Sequence, residues 1–126
     1  MAAVRGVLFD SDQRVLFLRR SPTSGGRRGQ WCLVGGRIQP GESSEQALTR
    51  EAMEETALHV RPRLKIETVG PQEYWLTDLI SSPDTLTLNH ESDQFTWLPV
   101  SELRTLHPLM DFRTVIRIIG RVSKLR

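Results

Sequence analysis

The sequence predicts an α/β (α+β) fold in which a mixed β-sheet is sandwiched between helices. Three observations lead there. Apolar-rich runs of strand length come in two groups of three. One well-capped helical stretch divides the groups, and the chain closes on an amphipathic helical pattern. The resulting order, β-β-β-α-β-β-β-α-α, gives a sheet whose faces need helices to cover them.

The elements follow in order. "AAVRGVLFD" and "RVLFLRR" read as strands joined by "DSDQ", a hairpin signal. "SPTSGGRRG" is loop, with Pro22 and the Gly25-Gly26 pair, and "QWCLVGG" is a short apolar strand ending at two glycines. "RIQPGE" turns at Pro40-Gly41 into a helix. Ser43 is its N-cap, Gln46 completes a capping box, and good helix formers run to Thr56. "LHVRPRLKIETVG" and "EYWLTDLI" are strands. "SSPDTLTLNHESD" is polar loop, with a weak strand in its middle as the alternative, and "QFTWLPV" is a further strand. "SELRTL" opens on a serine cap and reads as a short helix. In "MDFRTVIRIIGRVSKL" the apolar residues at 112, 115, 116, 118, 119 and 122 mark an amphipathic helix.

At 126 residues the chain is expected to form one domain, 1–126, and to bury roughly two thirds of its unfolded surface. Composition is that of an ordinary globular protein, 38% hydrophobic and 25% charged. No apolar run approaches the roughly 20 residues of a membrane span. Charges at Arg5 and Asp10 interrupt what would be the apolar core of a signal peptide. The single Cys32 excludes an internal disulfide, and it reads as a packed core residue. An intracellular, cytoplasmic protein is therefore expected. The net charge of +2 does not by itself imply nucleic acid. The arginines cluster, however, as Arg19-Arg20, Arg27-Arg28 and Arg37. They are either a solvated surface or a wall for phosphate, whose oxygens match the guanidinium fork. His59 and His107 stand in no constellation.

The informative stretch is "GGRIQPGESSEQALTREAMEETAL", residues 35–58. On a helix, Glu51 stands i,i+3 from Glu54 and i,i+4 from Glu55, so all three share one face. Each such like-charge pair costs a helix roughly 0.2–0.5 kcal/mol. Arg50 can reach Glu54 at i,i+4 but cannot neutralise three charges. A hard divalent cation would do so; a solvated acidic face is the other reading of the helix alone.

The surroundings favour the cation. From Gly36 the spacing is five residues to Glu42, seven more to Arg50-Glu51, then Glu54-Glu55 and Leu58. This resembles the Nudix hydrolase signature, GX5EX7REUXEEXGU with U aliphatic, over 23 residues, and every charged position agrees. Ala57 stands where the family has glycine, and Val34 where many members have proline; neither position touches a ligand.

The resemblance implies a Nudix fold and the hydrolysis of a phosphoanhydride bond in a nucleoside diphosphate linked to another moiety. It implies Mg²⁺ or Mn²⁺ held by Glu51, Glu54 and Glu55, with the carbonyl of Gly36 a further ligand. Arg50 would orient a glutamate, and Glu42 would support the site. Family members differ in the general base. Glu91, in "NHESDQFTW", matches the place of a further metal-binding or catalytic glutamate; Asp93 is the near alternative, and His90 the remaining one. Glu51, Glu54, Arg50 and Glu91 are thus the expected catalytic residues. Arg20 and Arg37 are expected to bind substrate phosphates, with Arg27 and Arg28 closing over them. Trp31 and Tyr74 are expected to stack on the substrate, and Trp75 and Phe112 are further aromatic candidates. A nucleoside triphosphate or nucleotide sugar is the favoured substrate, with a dinucleoside polyphosphate or ADP-ribose as alternatives. A reading of another class is a non-catalytic Nudix-fold module that binds nucleotide or RNA. The expected partner is a small nucleotide, with neither membrane nor nucleic acid involved, on a monomer or homodimer.

Overall fold

The computed structural model describes residues 2–125. β1 (Ala3–Phe9) and β2 (Arg14–Arg20) are joined by a tight turn closed by the Asp10 side chain. Asp10 Oδ1 accepts the N–H of Asp12 and of Arg14, each at 2.9 Å. The two strands then part company, pairing only at Phe9 and Val15. β1 runs parallel to β6 (Gln72–Leu79) and antiparallel to β4 (Val34–Arg37), whereas β2 pairs with β3 (Trp31–Cys32) and β7 (Ser92–Pro99). The main path of the mixed seven-stranded sheet is β3-β2-β1-β6-β5, where β5 is Val60–Val69.

The single strand expected over "QWCLVGG" is two, because the chain changes partner at Leu33, from β2 to β1. Gly35 sits at this crossing with φ +145°, and a Cβ there would lie 2.0 Å from the carbonyl oxygen of Val4. Only glycine lets the two backbones approach so closely.

Period-two alternation divides the strand side chains between two faces. Val7, Phe9, Val15 and Phe17 join Val115, Ile118, Ile119 and Val122 of α2 (Phe112–Lys124) in one core. Leu8, Leu16, Leu18 and Val34 meet Ala52 of α1 (Ser44–Thr56) and Leu58 in another. Helices thus cover both faces, which is why β1 and β2 read as nearly unbroken apolar runs.

The capping box forms as the sequence implies: Ser43 Oγ accepts the Gln46 N–H, and Gln46 Oε1 accepts the Ser43 N–H. α1 ends at Ala57, whose backbone is left-handed at φ 60° and ψ 14°, so alanine adopts the conformation that glycine would take without strain. Two local expectations change. The middle of the 80–91 connection contains a 3-10 turn, Pro83–Thr85, and no strand, since its serine, proline and aspartate favour turn geometry. "SELRTL" forms, up to Thr105, part of a 3-10 helix, Val100–Thr105, entered from Pro99 without a side-chain cap. No helix among the described residues is long and apolar enough to cross a membrane.

Candidate active site

α1, the β4 glycines and the chain entering β7 converge on a cleft of about 920 Å³. Gly35, Gly36, Glu51, Glu55 and Glu91 contribute to its walls. So do four arginines: Arg5, Arg20, Arg27 and Arg37.

Glu55 projects from α1 into the protein and is only 4% exposed. Its Oε1 accepts the Gly35 N–H at 3.0 Å. Burial pushes its carboxyl up to about 8, the negative charges of Glu51 and Glu91 add to the rise, and the Gly35 hydrogen bond and Arg5 oppose it. One turn earlier stands Glu51, also raised by burial, with Arg50 opposing and Glu54 and Glu91 reinforcing the shift. Gly36 makes room for it: a Cβ there would lie 2.5 Å from the Glu51 carboxyl carbon.

Arg50 gathers the remaining acids. Its Nε donates to Glu42 Oε2 at 2.7 Å and its Nη2 to Glu42 Oε1 at 3.0 Å, a bidentate fork that holds the Glu42 carboxyl below the usual carboxylate range. Nη1 donates to Glu51 Oε1 at 3.0 Å and to Glu54 Oε2 at 3.2 Å, while Nη2 also reaches the Arg37 carbonyl at 3.1 Å. One guanidinium therefore ties the helix face to the loop at both of its ends. Glu54 is the most solvent-facing acid of the group, its side chain 53% exposed, and it does not line the cleft.

Among the described residues, no three His, Cys, Asp or Glu side chains converge closely enough to enclose an ion. The chemistry of the donors nevertheless fits a hard cation. Glu51, Glu55 and Glu91 couple electrostatically, their oxygens are the ligands such a cation selects, and Gly36 leaves the backbone beside Glu51 uncovered. A positive charge here would also relieve the repulsion that raises Glu51 and Glu55.

Other sequence candidates fall out differently. Arg20 and Arg37 reach the cleft, and Arg20 Nε donates to the Gly26 carbonyl at 2.6 Å, shaping the arginine-rich loop. Asp93 is engaged by Arg19 in a two-pronged pair at 2.8 and 3.0 Å, which draws its carboxyl below the normal value and away from a base's role. The stacking expectation is corrected. Tyr74 is 2% exposed, in the core beneath α2, and Trp31 packs on that core from β3 without lining the cleft. Among the described residues, no aromatic side chain lines the cleft.

Arg5 and Gln72 were not foreseen. Arg5 Nε donates to Gln72 Oε1 at 3.1 Å, and Gln72 Nε2 donates to Asp111 Oδ2 at 3.1 Å; Arg5 and Gln72 line the cleft together with the acids. A charged residue inside the apolar run "AVRGVLF" was the available signal.

Known proteins resemble this chain in sequence and in fold. A family model described as NUDIX domain matches residues 1–116. The nucleoside triphosphatase NudI of Klebsiella pneumoniae is 30% identical, the match covering 77% of this chain and 81% of that one. The NudI of Salmonella typhimurium is 31% identical, covering 76% and 80%. Among solved structures, a MutT protein from Methanosarcina mazei superposes with a TM-score of 0.75 at 20% identity, over 98% of this chain and 93% of that chain. A C. elegans Ap4A hydrolase reaches 0.76 at 21% identity, over 98% and 96%.

Proposed function

Because the chain belongs to the Nudix family, and is a Nudix pyrophosphohydrolase, we propose that it hydrolyses the phosphoanhydride of a nucleoside triphosphate with the help of a divalent cation. The observation that carries this reading is one cleft with two chemistries: acids from α1 and the chain entering β7, and arginines from β1, β2, the 21–29 loop and β4. Polyphosphate is the ligand that needs both. The curated relatives are named as nucleoside triphosphatases, which favours that substrate over a nucleotide sugar, a dinucleoside polyphosphate or ADP-ribose.

Glu51, Glu54 and Glu55 would hold Mg²⁺ or Mn²⁺, with Gly36 offering its carbonyl and Glu91 a further carboxylate. The cation, once bound, supplies charge neutralisation at phosphate oxygens and acidifies a coordinated water. The protein's own groups do the rest. Arg20 and Arg37 bind phosphate oxygens as bidentate donors. Arg50 holds Glu51 and Glu54 in place by the bonds described above. Glu91, whose carboxylate accepts no hydrogen bond among the described residues, takes a proton from water as general base. An intracellular protein of one domain is consistent with this role.

The test is a panel of nucleoside triphosphates, nucleotide sugars, dinucleoside polyphosphates and ADP-ribose, assayed with Mg²⁺ and with products identified by mass. Preferred hydrolysis of triphosphates supports the reading. Preference for another class moves the substrate assignment. Binding of nucleotide or RNA without turnover of any of them would favour the non-catalytic alternative.

A further inference from the structure

The end of the 80–91 connection is fastened more heavily than a solvent loop requires. The Asn89 N–H donates to the carbonyl of Glu55 at 3.2 Å, and Asn89 Oδ1 accepts the Glu91 N–H at 3.0 Å. Asn89 is thus a strut between the backbones of two acids that face the same cleft. A second clamp comes from the start of the arginine-rich loop. The Ser21 N–H donates to the Glu91 carbonyl at 2.9 Å, while Ser21 Oγ at 2.5 Å and Thr23 Oγ1 at 2.9 Å both donate to the His90 carbonyl. Ser21 is itself buried. Glu91 therefore has both its N–H and its carbonyl fixed, and the preceding carbonyl is fixed by two hydroxyls.

This fastening opposes a definite force. Glu91 lines the same cleft as Glu51 and Glu55, and its negative charge disfavours a charge on either of them. Like charges at the mouth of one cleft push a free loop outward. We propose that Asn89 and Ser21 are positioning residues that hold Glu91 against this repulsion, and that they act on the reaction only through Glu91. The inference rests on the reading of Glu91 as a site residue. It also gives Ser21, the first of the two serines of "SPTSGGRRG", a task apart from the loop's arginines: the same turn that starts the arginine-rich loop fixes the acid at the cleft.

A double-mutant cycle tests this on the full chain, with Glu91→Gln, Asn89→Ala, Ser21→Ala and the combinations, using a nucleoside triphosphate and Mg²⁺. Asn89→Ala is expected to lower kcat about tenfold with KM within twofold, and to have no further effect in the Glu91→Gln background, because coupled residues are not additive. Ser21→Thr, which keeps the hydroxyl, should restore what Ser21→Ala loses. In the metal-free protein, the Glu91 amide of Asn89→Ala should exchange its hydrogen at least tenfold faster, with α1 amides unchanged. Wild-type kcat in Asn89→Ala, or an undiminished Asn89→Ala effect beside Glu91→Gln, overturns the inference. Wild-type kcat in Glu91→Gln alone overturns the reading of Glu91 itself, and is recognised from that single variant.

Discussion

Glu55 makes the metal-free protein sensitive to pH in an unusual direction. Its folded carboxyl titrates at about 8, because it is buried and faces Glu51 and Glu91. An unfolded glutamate titrates near 4.3. Between these values the folded chain holds a proton that the unfolded chain releases, so rising pH destabilises the fold by up to about 1.4 kcal/mol per unit. The contribution of Glu55 is whole below about pH 4.3 and is lost progressively as pH climbs to about 8. From pH 5 to pH 7 the expected loss is about 2–3 kcal/mol. Glu55→Gln removes the titration while its amide oxygen can still accept the Gly35 N–H. Urea unfolding followed by circular dichroism, in excess chelator at pH 5 and pH 7, measures the difference. Wild type should lose about 2–3 kcal/mol more than Glu55→Gln over that interval. Adding Mg²⁺ at pH 7 should recover much of it for wild type alone, since a ligand that binds only the folded state stabilises it. Parallel behaviour of the two proteins between the two pH values would mean that Glu55 holds no extra proton in the folded chain.

Three further outcomes follow from particular contacts. Gly36→Ala should leave the fold intact by circular dichroism yet cut kcat at least tenfold, since the new Cβ would meet the Glu51 carboxyl carbon at 2.5 Å and displace it; unchanged kcat would disconnect Glu51 from turnover. Ala57→Gly should stabilise the protein by roughly 0.5–1 kcal/mol in thermal unfolding, because the left-handed backbone at the end of α1 no longer carries a Cβ. Arg20→Ala and Arg37→Ala should each lower kcat/KM about tenfold, the loss of about 1.4 kcal/mol of phosphate binding; a change within twofold would assign both arginines to solvent.

The helix that carries the box acids was legible to the residue, from Ser43 through Thr56, because capping and helix propensity are local properties. The amphipathic α2 was legible in its stripe, on which buried Val115, Ile118, Ile119 and Val122 all fall, although the helix begins at Phe112, two residues inside the predicted stretch. What could not be read was partnership. Whether "QWCLVGG" is one strand or two depends on β1 and β2 diverging after their turn, which no local pattern records. Tyr74 and Trp31 were plausible stacking residues by type, but burial against α2 is a tertiary fact. Asp93 and Glu91 lie two residues apart and differ through Arg19, which arrives from 74 positions away in sequence to claim Asp93. Arg5 counted only as a charge that breaks a signal-peptide core, and its place at the cleft depends on β6 bringing Gln72 beside it.

Hydrolysis is expected to depend on a divalent cation held at the α1 carboxylates. The most direct measurement is the rate of nucleoside triphosphate hydrolysis with Mg²⁺, with chelator in excess, and after Mg²⁺ is restored, for wild type beside Glu55→Gln. Carboxylate ligation of the cation predicts wild-type turnover that chelator abolishes and restored Mg²⁺ returns, and a Glu55→Gln rate lower by two decades or more whenever Mg²⁺ is present. Wild-type turnover that survives the chelator, or a Glu55→Gln variant that keeps the wild-type rate in Mg²⁺, would contradict it.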